Sequence, residues 1–195
     1  MGKSRKTGAR KRKPDVREFV ASMPNDKLVN LVLDLAREDE GLMAHLERQA
    51  ALAVAQGTNS INKLLRTVDD ALVTNYYLEE YERANYVSAI WDFSEQVEKL
   101  VEQGRAADAV ELARYAVDRV RENWEMAEGE CEVADAASDL AESHLKACEA
   151  AKADPVETAE WLAAHQLEDN TIPDLKLSQF EKILGSKGFE TRRSH

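Results

Sequence analysis

His144 and Cys148 stand four residues apart, the spacing at which two helical side chains share a face, and imidazole plus thiolate is half of a tetrahedral zinc site. Cys131 and His165 complete the set of Cys and nearby His that such a site would draw on. If 131–148 is one helix, a rise of about 1.5 Å per residue puts Cys131 roughly 20 Å from His144, too far to join it. His144 and Cys148 also fall on an apolar stripe, where a thiol and a hydrogen-bonded imidazole are ordinary core occupants. The expectation is therefore no metal and no cofactor.

Other chemistry-bearing patterns fail on spacing. No Glu has a His three residues on, as carboxylate-bridged di-iron bundles require, and there is no His-Glu-x-x-His. Gly2-Lys3-Ser4 resembles the end of a phosphate-binding loop but has no room for the upstream glycine and strand. Gly185-Ser186-Lys187-Gly188 matches the short loop of KH domains, yet no sheet accompanies it, and a helix stop is the simpler reading. Asp69-Asp70 and Glu79-Glu80 are neighbours on a helix and point about 100° apart, so they are expected on solvated faces. No Ser or Cys is arranged with a His and an acid as a nucleophile would need. No catalytic residue is expected, and the chain reads as a non-enzyme.

Tyr76, Tyr77, Tyr81, Tyr86, Trp91 and Phe93 form the densest aromatic cluster. Interleaved Glu79, Glu80, Glu82 and Asp92 would repel phosphates, so packing between helices is expected, with a protein-binding face as the alternative. Cationic chemistry is confined to the N-terminus. Lys3, Arg5, Lys6, Arg10, Lys11, Arg12 and Lys13 lie in a stretch without an acid, and are the candidate nucleic-acid contacts. With those seven set aside, 19 basic residues remain against 37 acidic ones, a net of −18. A body that acidic repels polyanions and anionic membranes, so nucleic acid is expected to touch residues 3–13 only.

The elements that position these residues read as consecutive amphipathic helices. Low-complexity residues 1–14 are expected to be a disordered basic arm, 15–185 a helical-repeat domain, and 186–195 a flexible tail. Val16, Phe19 and Val20 mark a short helix ending near Pro24. Leu28, Leu31, Val32 and Leu35 mark the next, and Val29, Leu33 and Ala36 make it apolar almost all round, so it is expected to be central. Helices follow over 40–56, from a cap at Asn59 or Ser60 through Leu72, over 79–103 with Gly104 as C-terminal cap, and over 106–127. A helix over 131–152 comes next. Asp154-Pro155-Val156-Glu157 opens a helix to 168, and Ser178 with Glu181 repeats the capping-box spacing before a last short helix.

Tight turns pair 79–103 with 105–127 and 131–152 with 155–168, and Ala109, Ala113, Ala116, Ala137 and Ala141 let the pairs approach closely. This predicts an all-α fold of antiparallel hairpins stacked as a tetratricopeptide-like α-solenoid, with a compact bundle as the alternative. No apolar run nears the roughly eighteen residues needed to span a bilayer, no apolar segment follows the basic start as in a signal peptide, and Lys6 breaks the myristoylation pattern. Two cysteines are too few for a disulfide framework; a cytoplasmic protein is expected.

The segments Val16 to Glu38 (VREFVASMPNDKLVNLVLDLARE), Gly104 to Asp118 (GRAADAVELARYAVD) and Ala141 to Trp161 (AESHLKACEAAKADPVETAEW) resemble the helical region of bacterial SWIM zinc-finger-associated proteins. The resemblance spans roughly residues 15 to 185 and implies a tetratricopeptide-like interaction scaffold. Members with the zinc finger carry a Cys-x-Cys…Cys-x-His pattern ahead of the helices; here the basic arm stands in its place, and no metal site carries over. Further helices would be expected past the end, as in a short or truncated member. The last helix would then leave Trp161, Leu167 and Phe180 partly open, a candidate protein interface supporting partner docking or weak self-association.

Overall fold

The computed structural model describes residues 15–57, 60–127, 131–166 and 180–185, and all regular structure among them is α-helix. They fall into two compact units divided between Met43 and Ala44.

In the first unit, α1 (Val16–Ala21) starts at Asp15, whose carboxylate accepts from the backbone N–H of Arg17 at 2.9 Å. α2 (Asn25–Glu38) departs from expectation. Val29 is 55% exposed, Leu33 41% and Leu35 50%, and Ala36 is its one buried residue. The reason is geometric: its apolar arc wraps more than half the helix, and a single covered strip shelters only the row Leu28, Val32, Ala36. An all-round apolar helix is central only if neighbours surround it.

α3 (Glu40–Gly57) brings in the second unit from Ala44 onward, followed by α4 (Ile61–Leu72), α5 (Glu80–Glu102), α6 (Ala106–Glu122), α7 (Cys131–Ala151), α8 (Pro155–Gln166) and the one-turn α9 (180–185). α5, α6 and α7 pack on one another, and α4 lies against α6 and α5. Ile90, Phe93, Val97, Leu100, Leu112 and Leu140 are fully buried at their centre. The small residues expected to face neighbours do so: Ala109, Ala113, Ala116, Ala137 and Ala141 are all buried. Each large buried side chain contributes about 1.5–3 kcal/mol, and the alanines let helix axes approach to about 8 Å.

Local chemistry sets the turns. Gly104 sits at φ +75°, with its N–H on the Val101 carbonyl and that of Arg105 on the Leu100 carbonyl at 2.9 Å, a complete Schellman stop between α5 and α6. α7 ends the same way without a glycine. Lys152 takes φ +52° and the Ala153 N–H reaches the Cys148 carbonyl at 3.0 Å, at a cost of about 1 kcal/mol. Asp154 then caps α8 as its sequence context predicts, accepting from the N–H groups of Val156 and Glu157 at 2.9 Å each.

One expected boundary moves, and two expected caps differ from the sequence reading or lie outside the described residues. Ser60 occupies the N-cap position of α4 but its side chain makes no capping bond, and Asn59 lies outside the described residues. α6 stops at Glu122 rather than near Ala127, because the buried Asn123 turns its amide back onto the Arg119 carbonyl at 2.8 Å and accepts from the Thr74 N–H at 3.0 Å. Ser178, the expected cap of α9, also lies outside the described residues.

Candidate interaction groove

α4, α6 and α8 together line an open groove of about 490 Å³. Its apolar surface comes from Leu65 on α4, Val110 on α6 and the half-buried Trp161 on α8. Its polar rim comes from Glu111, Arg114 and Asp118, which recur on one face of α6 at i, i+3 and i+7, and from Glu157 on α8.

Arg114 joins the two helices. Its guanidinium, 14% exposed, pairs with the Glu157 carboxylate, donates to Thr158 Oγ1 at 3.1 Å and stands 5.7 Å from the Trp161 ring centroid. Planar geometry lets Arg form both contacts at once, which Lys does not. Tyr115 is held in place from the α4 side. Its hydroxyl donates to the Asp69 carboxylate at 2.8 Å, and Arg119 Nε donates to the same oxygen at 2.8 Å while its guanidinium lies 4.6 Å from the Tyr115 ring. Burial and the bond to Asp69 raise the Tyr115 pKa, and the bonds to Asp69, Glu122 and Tyr115 raise that of Arg119. Asp69 thus departs from the expected solvated face, whereas Asp70 is exposed.

Beneath α8 lies the His144–Cys148 pair. Both are fully buried, with His144 Nε2 3.1 Å from Cys148 Sγ. The imidazole stands edge-on to Trp161 at 4.6 Å between centroids and tilted against Phe180 at 5.7 Å. Burial pushes the Cys148 thiol up to about 11, only partly offset by the charge of Arg114, so at neutral pH it is a protonated core side chain rather than a nucleophile. Among the described residues no three His, Cys, Asp or Glu side chains are grouped to hold a metal.

Phe180 corrects the expectation of an open C-terminal face. It is 1% exposed, because Phe180 and Leu184, four apart on α9, close over Ala159 and Leu162 of α8. Trp161 does reach a surface, that of the groove, and Leu167 lies outside the described residues. So do Lys3, Arg5, Lys6, Arg10, Lys11, Arg12 and Lys13. The aromatic cluster divides: Tyr86 and Phe93 are buried, while Tyr76, Tyr77, Tyr81 and Trp91 are each about half exposed. Tyr76 donates to Glu82 at 3.0 Å and Trp91 to Asp139 at 3.1 Å.

Asp92, one of the acids interleaved with the aromatic cluster, is buried. Its carboxylate accepts from Arg48 Nε and Gln49 Nε2 at 2.7 Å each and lies 3.2 Å from His45 Nδ1, and Arg48 also donates to Ser88 Oγ at 3.0 Å. One turn further on, Gln56 donates to Gln96 at 2.6 Å. Ser88, Asp92 and Gln96 follow one another at i, i+4 and i+8, a polar stripe on α5 that apolar periodicity does not reveal. No helix among the described residues is long and apolar enough to cross a membrane. Compared with protein-family models, curated proteins and solved structures, the chain matches none.

Proposed function

We propose that this chain is a non-enzymatic scaffold that holds a protein partner, with its helical hairpins stacked as a tetratricopeptide-like α-solenoid and its place of work the cytoplasm. The observation that carries this reading is the groove between α4, α6 and α8, where Leu65, Val110 and Trp161 form an open apolar strip rimmed by charge. Grooves between helices suit an amphipathic segment, and Trp and Tyr are favoured where proteins meet. The three segments that resemble the helical region of SWIM zinc-finger-associated proteins support the same reading.

A photo-crosslinking residue at position 65, introduced in the source cell, tests it. One recurrent protein adduct at position 65, and none at exposed Glu149 outside the groove, is the expected result. Absence of any adduct at position 65 would overturn it.

A second reading rests on the basic arm, where seven cations stand against a body of net −18. It makes the chain a nucleic-acid-associated accessory protein. Removing residues 1–13 would then abolish binding to a DNA or RNA duplex without moving the thermal transition, and wild-type binding would weaken steeply with salt. Binding that survives the deletion refutes the arm.

A further inference from the structure

We infer that the cavity between the end of α4, the loop 73–79 and α5 binds a small aliphatic amino acid as its zwitterion, with the ammonium on Asp70 and Glu82 and the carboxylate on Tyr86 and Arg48. The inference is independent of the groove between α4, α6 and α8 and of the scaffold reading.

An unbonded hydroxyl is the first ground. The cavity holds about 300 Å³, and Tyr86 of α5 belongs to its wall. Tyr86 is 4% exposed, and its hydroxyl is buried with no hydrogen-bond partner among the described residues. Buried polar groups are nearly always bonded, and a bond left unmade costs stability. An acceptor on a ligand at this wall supplies the missing partner. Burial raises the Tyr86 pKa, so the phenol keeps its proton at neutral pH and donates.

Charge is the second ground. Arg48 reaches the same wall from α3, with a side chain 9% exposed. Its Nε donates to Asp92 and its Nη2 to Ser88, which leaves Nη1 for a ligand. Asp92 balances the Arg48 charge, so the cavity takes its sign from Asp70 and Glu82. Asp70 is exposed and bonds to no described side chain. Glu82 accepts from the Tyr76 hydroxyl on one oxygen and the Glu79 N–H on the other, and each oxygen keeps a lone pair. A simple anion would meet two carboxylates, and a simple cation would leave Nη1 and the Tyr86 hydroxyl unanswered. A molecule that carries both charges answers both.

Size is the third ground. The volume stands at the small end of ligand pockets, which run from about 300 to 1,000 Å³. Ala71, Val73 and Leu78 supply its apolar wall, which suits a short aliphatic side chain. The loop is held before any ligand arrives: Asn123 accepts from the Thr74 N–H at 3.0 Å, and the Met126 carbonyl from the Leu78 N–H at 2.9 Å.

The experiment titrates the full chain with L-valine, with isobutylamine, which lacks the carboxylate, and with isovalerate, which lacks the ammonium. Calorimetry is expected to show L-valine binding at least about tenfold tighter than either analogue. Tyr86→Phe is expected to weaken L-valine and isovalerate and leave isobutylamine unchanged. Its thermal transition without ligand is expected to hold or rise, since the hydroxyl it removes bonds to nothing. Asp70→Asn, an exposed change, is expected to weaken L-valine and isobutylamine and leave isovalerate unchanged.

No binding of L-valine at millimolar concentration would overturn the inference. An analogue that binds as tightly as L-valine would overturn the zwitterion. L-Valine binding that neither variant weakens would put the ligand elsewhere and sink the site. Should Tyr86→Phe fail to fold, its hydroxyl has a structural role and Asp70→Asn decides alone.

Discussion

α2 and α5 invert what their sequences suggest. α2 packs Leu28, Val29, Leu31, Val32, Leu33 and Leu35 into eight residues, yet only Ala36 is buried and only Leu28 and Val32 beside it are partly covered. α5 is broken by charged and polar residues, yet buries Asp92, Ser94 and Gln96 beside Ile90, Phe93 and Val97. The difference lies in neighbours. α5 is flanked by α4, α6 and α7 and bonded along its polar stripe to Arg48, Gln49 and Gln56 of α3, so most of its middle meets protein and the strip Trp91, Glu95, Glu98 and Glu102 stays exposed. Once a face is enclosed, its polar groups must find partners, and α3 supplies them. Composition sets what a helix tolerates; the number of surrounding helices sets what it buries.

The sharpest way to break this comparison is at the centre of α5. Phe93→Ala removes a fully buried ring and is expected to cost about 3–5 kcal/mol in urea unfolding. A loss under about 1 kcal/mol would mean that α5 is not enclosed as described.

Asp92→Ala comes next. It strands the Arg48 guanidinium, 9% exposed, without its carboxylate, and is expected to cost on the order of 3 kcal/mol. The double variant Arg48→Met/Asp92→Leu is expected to recover most of that loss, since it removes the charge along with its partner. If the double variant is as unstable as the single one, the α3–α5 contact depends on these ions in a way that desolvation does not explain.

A smaller effect follows from Cys148. Its thiol pKa rises from 9.0 to about 11 in the folded chain because burial disfavours the thiolate, so the folded state keeps a proton that the unfolded state releases. Stability from this source is intact below pH 9 and is lost as pH climbs from 9 toward 11. Burial raises Tyr86 as well, which adds a loss of the same sign at still higher pH. Comparing urea midpoints of wild type and Cys148→Ala at pH 8 and pH 10.5 isolates the thiol: the variant is expected to lose less between the two. Parallel losses would show that the thiol is not sealed beneath α8.

The smallest effect is expected on α2. Leu33→Ser replaces a side chain that is 41% exposed and is expected to change stability by no more than about 0.5 kcal/mol. A cost of several times that would show Leu33 to be enclosed and would close the gap between the two helices.

What the sequence determined on its own is the helices and most of their ends. Those rest on contacts within a few residues: Asp154 with the N–H groups of Val156 and Glu157, or Gly104 at φ +75°, and such contacts are written in consecutive letters. The inward stripe of α6 and α7 was legible for the same reason, because period and face coincide. Only the tertiary structure decided that α2 lies open, that Asp92 lies buried, that α9 folds Phe180 shut, and that Leu65, Val110 and Trp161 meet in one groove. Each of these depends on which helices stand next to one another. Burial is a property of neighbours rather than of side chains, and the residues that make a neighbour are far apart in the chain.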